Sequence, residues 1–550
     1  MKSFLITLST MAAFSTVQAY NYPIGIPAAW TDPDVAQAPR PASWESEVAG
    51  HYYVDNNHPQ ATNTNNTYGY PAKPRLTFPT TYDAGSRVEV HGGPYTGGAL
   101  IFNGTEEAPC WFIGVEHPIL QSQIFLKGSY VVFDGFKFNA SRKTVSMRSK
   151  DGSNLHHAMV RNCLMEGPGT WDGNTACIDI YGTAGNLFHD LIVYNNTIHD
   201  FGDDNYMVGG VYASNDYHGI QVSRDAYNVW VLENTVYNLG GDSIQFGTAY
   251  AIPVESIVNR IFVGKNVFHS NLENAIDVKQ ASDSVISQNE CYDFIPTNGK
   301  SGVAIVIHNN PTGMWVIFNK VHSAGTGIIS TGSSKTWFIG NVIYNIHHDP
   351  NASWNPESIY ASGVAMHMRG ADGGCIYNTL YDYDIGIQFP TCLSSYLVKG
   401  NIFANRAAGG GDDVNVTNVG VAALTTLDYN LYTDMAVKYA GHEYTLPSAM
   451  FTAAGQEAHG VENSNPHFTN STGYDFSLGS DSPAVNAGPT VDASAFYADF
   501  QGRFGIDIHV DASGISRPKG TAWDIGSYEY AGAAAISPPG SLKVSPVQGK

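Results

Sequence analysis

The chain has 550 residues and a formal net charge of −21, yet only 14% of its residues are charged. This negative charge argues against nucleic acid and anionic membranes as partners. The length suggests two or three domains by default, although repeat architectures are exempt from that rule.

Residues 1–19 predict a signal peptide. Lys2 precedes an apolar stretch that runs to Val17, and Ala19 supplies a small residue at the expected cleavage site. No later segment is both long enough and apolar enough to span a membrane. We therefore expect a secreted monomer without a membrane span.

Residues 20–90 are rich in Pro, Asn, Thr and Tyr, and we expect a leading segment that packs over one end of the fold. A repeat begins near residue 91. Its unit is a short apolar strand, an Asn, further apolar positions with an aromatic residue or His, a Gly-rich turn and another strand. The repeated Asn residues are Asn196, Asn234, Asn266, Asn289, Asn319 and Asn341. The series is expected to start at Asn162 and to extend through Asn378 and Asn401.

The gaps between the six central Asn residues are 38, 32, 23, 30 and 22 residues. A nearly constant minimum with variable additions indicates short coils that carry loops at fixed corners. Stacked Asn amides can hydrogen-bond to the coils on either side, so we interpret the Asn column as structural. His199, His269 and His322 share the aromatic position of the repeat and are also interpreted as structural.

This pattern resembles the right-handed parallel β-helix of pectate lyases, alginate lyases and chondroitinase B. The resemblance implies an all-β fold with a catalytic β-helix over residues 91–410. Residues 481–488 and 524–530 resemble an ending common to secreted bacterial β-helix proteins. We therefore expect the last coils and a C-terminal cap in 411–530, followed by a tail in 531–550.

The strand after each turn can be aligned on residues 276–279. Alternation there buries Ile276 and Val278 and places Asp277 and Lys279 on the opposite face. The first outward column of the aligned strands contains Asp179, Gln221, Gln245, Asp277, Val306, Ile329, His367 and Gln388. The second contains Tyr181, Ser223, Gly247, Lys279, His308, Thr331, Arg369 and Pro390. This charged and polar surface predicts a groove floor, and long inserts with aromatic and acidic residues flank it.

β-Elimination of a uronic-acid polymer requires a neutralised C6 carboxylate, removal of the C5 proton and protonation of the leaving oxygen. The resemblance implies that Lys279 is the base and that Arg369 or His308 neutralises the substrate or assists. The expected Ca²⁺ ligands are Asp242, Glu273 and Asp277. The expected substrate-binding residues are Gln221, Gln245, His367, Tyr206, Tyr217, His218 and Trp354. The expected partner is an anionic polysaccharide.

A free lysine has a pKa of about 10.4, so roughly one per cent or less is neutral at pH 8. A lysine base needs that pKa lowered by burial or by neighbouring cations. Arg369 and His308 act in that direction, whereas Asp277 opposes them. A Ca²⁺ ion on Asp277 would remove this opposition and also bind the substrate carboxylate. The lysine-base hypothesis therefore requires a metal.

Two alternative functions remain open from the sequence. A glycoside hydrolase on the same fold would use a carboxylate pair such as Asp242 with Asp277, or Asp203 with Asp204. A non-catalytic carbohydrate-binding solenoid would carry the charged floor without using it for chemistry.

Two further patterns are weaker. His218-Gly219 resembles a dipeptide of polygalacturonase-like hydrolases, but their Asn-Thr-Asp and Arg-Ile-Lys motifs are absent from this sequence. The 6 cysteines show no metal-binding spacing, and both disulfides and buried thiols are compatible with their positions.

Overall fold

The computed structural model describes residues 19–139, 143–148, 154–167, 175–183, 188–202, 207–208, 211–212, 216–294, 302–348, 362–391 and 393–532. Its strands stack in parallel into coils, and each regular coil contributes one strand to each of three sheet faces. We call these faces the floor sheet, the second sheet and the third sheet. The predicted all-β parallel β-helix is confirmed.

The floor sheet carries the predicted outward columns. Its strands are Thr81–Asp83, Ala99–Asn103, Ile124–Asp134, Val145–Arg148, Thr175–Tyr181, Tyr217–Val222, Ile244–Phe246, Ile276–Lys279, Val303–His308, Thr326–Ile339, Val364–Ile376, Ile385–Gln388, Val414–Val416 and Val437–Tyr439. Three of these strands bend through a corner and continue in the second sheet: Ile124–Asp134, Thr326–Ile339 and Val364–Ile376.

The second sheet follows the floor sheet in each coil. Its other strands are His51–Asp55, Arg87–His91, Cys110–Gly114, Leu155–Arg161, Phe188–Tyr194, Ala226–Leu232, Val258–Gly264, Ala281–Ser287, Thr312–Ile317, Tyr396–Lys399 and Thr425–Asp428. The third sheet consists of Ile119–Leu120, Lys137–Phe138, Leu164–Glu166, Thr197–His199, Thr235–Tyr237, Val267–His269, Glu290–Phe294, Lys320–Ala324, Val342–Ile346, Thr379–Tyr383, Ile402–Ala404, Leu431–Tyr432 and Val461–Glu462.

A few elements lie outside the coils. The antiparallel additions are Met207–Val208 with Val211–Tyr212, His442–Tyr444 on the last floor strand, and Phe468–Asn470 with Asp475–Leu478. The helices are Val419–Ala422, Pro447–Ala454 and Ala495–Phe504, with 3₁₀ turns at Val254–Ser256 and Ser471–Gly473. No helix in the described ranges is long and apolar enough to cross a membrane.

A ladder of buried Asn side chains joins successive coils where the second sheet turns into the third. Asn289 represents the pattern: its Nδ2 donates to the Val263 carbonyl at 3.0 Å and to Asn319 Oδ1 at 2.9 Å. Its own Oδ1 accepts from the backbone N–H of Asn266 at 3.1 Å. Because each amide satisfies backbone groups of adjacent coils, the ladder fixes their register.

The ladder differs from the sequence prediction at both ends. Asn162 is not part of the ladder. Its Oδ1 accepts from Asn195 Nδ2, so it aligns with the residue before the ladder residue Asn196. The ladder position of that coil is Cys163, whose backbone N–H donates to Asn196 Oδ1. At the other end Asn430 accepts from Asn401 and donates to Glu457 Oε1 at 2.7 Å. A buried carboxylate, whose pKa burial raises to about 7, therefore ends the ladder.

The predicted aromatic stack lies on the outer face of the third sheet. The rings of His199, Tyr237, His269, Tyr292, His322 and Tyr344 follow one another at centroid distances of 4.6–5.0 Å. The described cysteines, Cys110, Cys163, Cys177, Cys291 and Cys375, are buried free thiols.

The two ends of the chain cover the outer face of the second sheet. The segment after Tyr20 lies against it, and Trp230 Nε1 donates to the Pro27 carbonyl at 2.8 Å. Helix Ala495–Phe504 packs on the same face, with Phe500 against Trp315 at 4.8 Å. The expected signal peptide and tail fall almost wholly outside the described residues.

The coil architecture starts before the boundary expected at residue 91. His51–Asp55 pairs in parallel with Arg87–His91, which pairs in turn with Cys110–Gly114. Part of the 20–90 segment therefore forms coils, and its first part lies along the side of the solenoid.

We expect Asn289→Ala to lower the free energy of unfolding by about 2–6 kcal/mol. The substitution leaves the Asn266 N–H and the Val263 carbonyl buried without their partner, at about 1–3 kcal/mol for each group. The shift in the urea unfolding midpoint measures this loss. Asn57→Ala is the control because its side chain is exposed and bonds one carbonyl, and an equal loss there would contradict the role of the ladder.

Candidate active site

The site is built on the floor strand Ile276–Lys279. Ile276 and Val278 point into the core and are fully buried, so Asp277 and Lys279 project outward from the same strand. The next floor strand pairs Asp277 with Val306 and Lys279 with His308. This register confirms the neighbours expected from the sequence alignment.

Asp277 joins the two cationic candidates. Its Oδ2 accepts from Lys279 Nζ at 2.8 Å, and its Oδ1 lies 2.8 Å from His308 Nε2. The side chain of Asp277 is only 6% exposed, whereas those of Lys279 and His308 are 17% and 25% exposed. The carboxylate therefore lies beneath a lysine and a histidine that solvent can reach.

The electrostatics of this trio keep both Asp277 and Lys279 charged. Burial alone would raise the pKa of Asp277, but the hydrogen bond from His308 and the charge of Lys279 outweigh burial and lower it. Burial alone would lower the pKa of Lys279, but the charges of Asp277 and Asp242 outweigh it and raise that pKa. Lys279 is therefore protonated at neutral pH.

His308 has the geometry of an oriented proton acceptor. Its Nε2 is fixed by Asp277, and in the part of the chain that the structure describes its Nδ1 makes no hydrogen bond. A carboxylate on one ring nitrogen sets the tautomer and the orientation of the imidazole.

Arg369 lies further along the same outward column. Thr331 pairs with His308 on one side and with Arg369 on the other, so Arg369 is two coils from His308, about 10 Å at roughly 4.8 Å per coil. Its side chain is exposed. It can bind a substrate carboxylate, but it does not touch the Asp277 trio.

Two glutamines and a buried pair support Asp277 from the preceding coils. Gln221 Nε2 donates to Gln245 Oε1 at 3.2 Å, and Gln245 Nε2 lies 3.4 Å from Asp277 Oδ2 and 3.2 Å from Asp242 Oδ2. His218 Nδ1 lies 3.1 Å from Asp242 Oδ2, and both side chains are fully buried. Burial lowers the pKa of His218, but the hydrogen bond to Asp242 outweighs it and the pKa rises to about 8.

Some of the residues expected to bind substrate lie on the floor, and others are buried. Gln221 and Gln245 lie in the outward column of the floor, although Gln245 is only 7% exposed, whereas His218 is fully buried. Tyr217 was expected on the substrate side, and this is wrong: its ring stacks on Phe201 at 4.8 Å within the core, because position 217 faces inward on its strand.

His367, another expected substrate-binding residue, lies in the predicted column but is 1% exposed. Both of its ring nitrogens lack a hydrogen-bond partner among the described residues. Burial and the charge of Arg369 lower its pKa to about 4, so the ring is neutral. Tyr206 and Trp354 fall outside the described residues, as do Asp203 and Asp204.

The expected calcium ligands do not form one site. Asp242 Oδ1 accepts from the backbone N–H and Nδ2 of Asn274, at 3.0 and 2.8 Å, and its Oδ2 faces His218 and Gln245. Both oxygens of Asp277 are likewise engaged, Oδ1 by His308 and Oδ2 by Lys279. A cation that needs six to eight oxygen ligands does not fit carboxylates already engaged on both oxygens.

Glu273 instead joins a different group of potential ligands. Its carboxylate, that of Asp216 and the ring of His218 bring three ligand atoms within 4.8 Å of one another. A histidine nitrogen is a poor ligand for Ca²⁺, which prefers oxygen. This group therefore does not replace the expected calcium site.

A second cationic cluster on the floor was not predicted. Lys143 and Arg148 both form ion pairs with the buried Asp179, which lies in the same outward column as Asp277. Arg148 pairs in register with Tyr181. Extending the strand alignment by one coil, to Val145–Arg148, would have found it.

Comparisons with known proteins give structural neighbours only. No protein-family description matches the chain, and no curated protein matches it either. A mannuronic acid specific polysaccharide family 6 lyase from human gut microbiota has a TM-score of 0.44 and 14% identity, covering 64% of this chain and 81% of that chain.

Two other solved structures illustrate the range of neighbours. The PL6 family alginate lyase AlyGC has a TM-score of 0.42 and 14% identity, covering 75% of this chain and 57% of that chain. PfbA, a surface adhesin of Streptococcus pneumoniae, has a TM-score of 0.36 and 9% identity, covering 66% of this chain and 85% of that chain. Enzymes and an adhesin thus both occur among the neighbours, and the likeness assigns no activity to this chain.

We expect Asp277→Asn to lower the pKa of Lys279. The change removes the negative charge that raises this pKa and leaves the burial that lowers it. The pH dependence of Lys279 acylation, followed by peptide mass spectrometry, should shift to lower pH. Asp283→Asn is the control, and a midpoint for Lys279 that does not move in Asp277→Asn would contradict the electrostatic coupling.

Proposed function

We propose that the protein is a secreted polysaccharide lyase that cleaves a uronic-acid polymer by β-elimination. The observation that carries the proposal is the nearly buried carboxylate of Asp277 on the floor, which pairs with both Lys279 and His308. The side chains of these two residues lie next to each other and are partly exposed. A fixed cation next to an oriented imidazole suits a reaction in which a proton leaves a carbon beside a carboxylate.

The charge states assign the roles. Lys279 keeps its proton because Asp277 raises its pKa, so its ammonium stabilises the negative charge that develops on the substrate carboxylate. His308 takes the C5 proton. This assignment differs from the lysine base expected from the sequence, because that base required a metal on Asp277 and the ligand set does not fit one.

The step balances within the substrate and one imidazole. The electrons of the C5–H bond form the C4–C5 double bond, and the C4–O bond breaks towards the leaving oxygen. Protonated His308 returns its proton to that oxygen and is regenerated as a neutral imidazole. No redox partner is needed.

Floor cations account for the binding of an acidic polymer by an acidic protein. Arg369 lies two coils beyond His308 and offers a guanidinium to the carboxylate of another sugar. Lys143 and Arg148 lie on the opposite side of the trio, where both form ion pairs with Asp179. These cations place positive charge along the groove although the net charge of the chain is −21.

A hydrolase that uses Asp242 with Asp277 is disfavoured by burial. Asp242 is fully buried and its carboxylate is bonded by Asn274, Gln245 and His218. A general acid or base must reach the glycosidic oxygen or its attacking water. Asp242 therefore acts as support for the floor.

We expect the protein to generate absorbance near 235 nm from at least one uronate polymer in a panel of alginate, pectate, glycosaminoglycans and glucuronans. This absorbance reports the new C4–C5 double bond. Reducing ends without the chromophore would support hydrolysis, and binding without any cleavage would support a carbohydrate-binding solenoid. A chelator should leave the rate unchanged, because Lys279 and His308 carry the reaction without a metal.

We expect Lys279→Ala to lower kcat by about 10²–10³-fold and Lys279→Arg to lower it by about tenfold or less. Arg keeps the positive charge, whereas Ala removes the group that stabilises the developing carboxylate charge. If Lys279 were the base, Arg would be as inactive as Ala, because a guanidinium stays protonated. Steady-state rates at 235 nm separate the two roles.

We expect His308→Gln to lower kcat by about 10²–10⁴-fold, as removal of a general base does. His322→Gln is the matched control, because it changes a partly exposed histidine in the aromatic stack of the third sheet. Full activity of His308→Gln would contradict its role as proton acceptor.

A further inference from the structure

A cluster of histidines and one carboxylate lies on the second sheet, where its strands begin after the corner with the floor sheet. His156 and His157 belong to strand Leu155–Arg161, and His189 and Asp190 belong to the next strand, Phe188–Tyr194. The register pairs His156 with His189. The candidate active site uses none of these residues.

The ligand atoms of three residues converge. His189 Nδ1 lies 2.6 Å from Asp190 Oδ2, and His157 Nε2 lies 3.8 Å from the same oxygen. All three ligand atoms lie within 4.8 Å of one another. The side chains are 19–24% exposed, so an ion can reach them from solvent.

The surrounding contacts orient each of these side chains. His156 Nδ1 lies 2.9 Å from His157 Nδ1, so a hydrogen bond between them leaves His157 Nε2 free to face Asp190. The ring of His189 is stacked between His156 at 5.1 Å and Tyr227 at 4.9 Å.

The carboxylate is fixed from its other side. Asn228 Nδ2 donates to Asp190 Oδ1 at 3.1 Å, and Arg260 Nε donates to Asn228 Oδ1 at 2.9 Å. Oδ2 of Asp190 is thereby directed at the two imidazoles. Partners behind the ligands that fix their tautomer and orientation are a regular feature of metal sites in proteins.

We propose that His157, His189 and Asp190 form a binding site for a divalent transition-metal ion of the zinc type. Two imidazole nitrogens and one carboxylate oxygen are a ligand set that suits Zn²⁺ and Co²⁺ and does not suit Ca²⁺ or Mg²⁺. Metal–ligand bonds of about 2.0–2.2 Å in tetrahedral geometry separate two ligand atoms by roughly 3.3–3.5 Å. This separation lies between the distances from Asp190 Oδ2 to His189 Nδ1, 2.6 Å, and to His157 Nε2, 3.8 Å. Water completes the coordination.

A metal at this position would join two successive coils. It would lie beside the N-terminal segment, since Trp30 packs against the ring of His157 at 5.5 Å. The ion would therefore connect coils near the place where the segment around Trp30 lies against the solenoid.

Co²⁺ is the probe for this site because its visible absorption reports coordination. We expect the full-length mature protein, freed of metal by dialysis against a chelator, to bind Co²⁺ with tetrahedral d–d bands. His189→Ala and Asp190→Asn should each weaken binding by at least about a hundredfold, and His156→Gln, which removes an orienting contact, by about 10–100-fold. Zn²⁺ should displace the bound Co²⁺.

Two variants distinguish this site from others. His199→Ala is the matched control, because His199 pairs with Asp200 at 2.8 Å in the same way as His189 pairs with Asp190. His218→Gln removes a ligand from the other histidine-containing group. Both variants should bind Co²⁺ at this site like the wild type. The proposal is overturned if the wild type binds no Co²⁺, or if His189→Ala binds it as tightly as the wild type.

Discussion

The structure depends on the hydrogen bonds of the Asn ladder. Each amide bonds backbone groups that the turn between the second and third sheets would otherwise leave buried and unpaired. A one-residue slip of any coil would break these bonds and also turn its apolar side chains outward. The ladder thus sets the register of every coil it joins, and the floor columns follow from that register.

Register then determines the chemistry of the floor. Asp277, Lys279 and His308 come from adjacent coils, and only in-register stacking brings them within hydrogen-bonding distance. The buried carboxylate is stabilised in its charged form by the two groups that it positions. Asp179, with Lys143 and Arg148, repeats this arrangement further along the floor.

A solenoid with long columns can hold more than one kind of site. The floor columns carry cations above buried carboxylates, which suits an anionic polymer laid across several coils. The cluster at His157, His189 and Asp190 uses the same inter-coil register on another face, with ligand chemistry that suits a compact metal ion. In both cases the group combines side chains from two successive coils.

The sequence by itself determined the coil repeat, the Asn column, the aromatic stack and the neighbours on the floor, because these follow from a spacing that recurs in every coil. The sequence alignment correctly predicted that Lys279 lies beside His308. It wrongly assigned Asn162 to the ladder, where the next residue, Cys163, lies. Only the tertiary structure decided that Tyr217 points into the core and that Asp242 is buried and hydrogen-bonded by Gln245 and Asn274. It also decided that Lys279 keeps its proton. Burial and hydrogen-bond partners set those properties, and both depend on how coils and loops pack, which the periodicity of one strand does not contain.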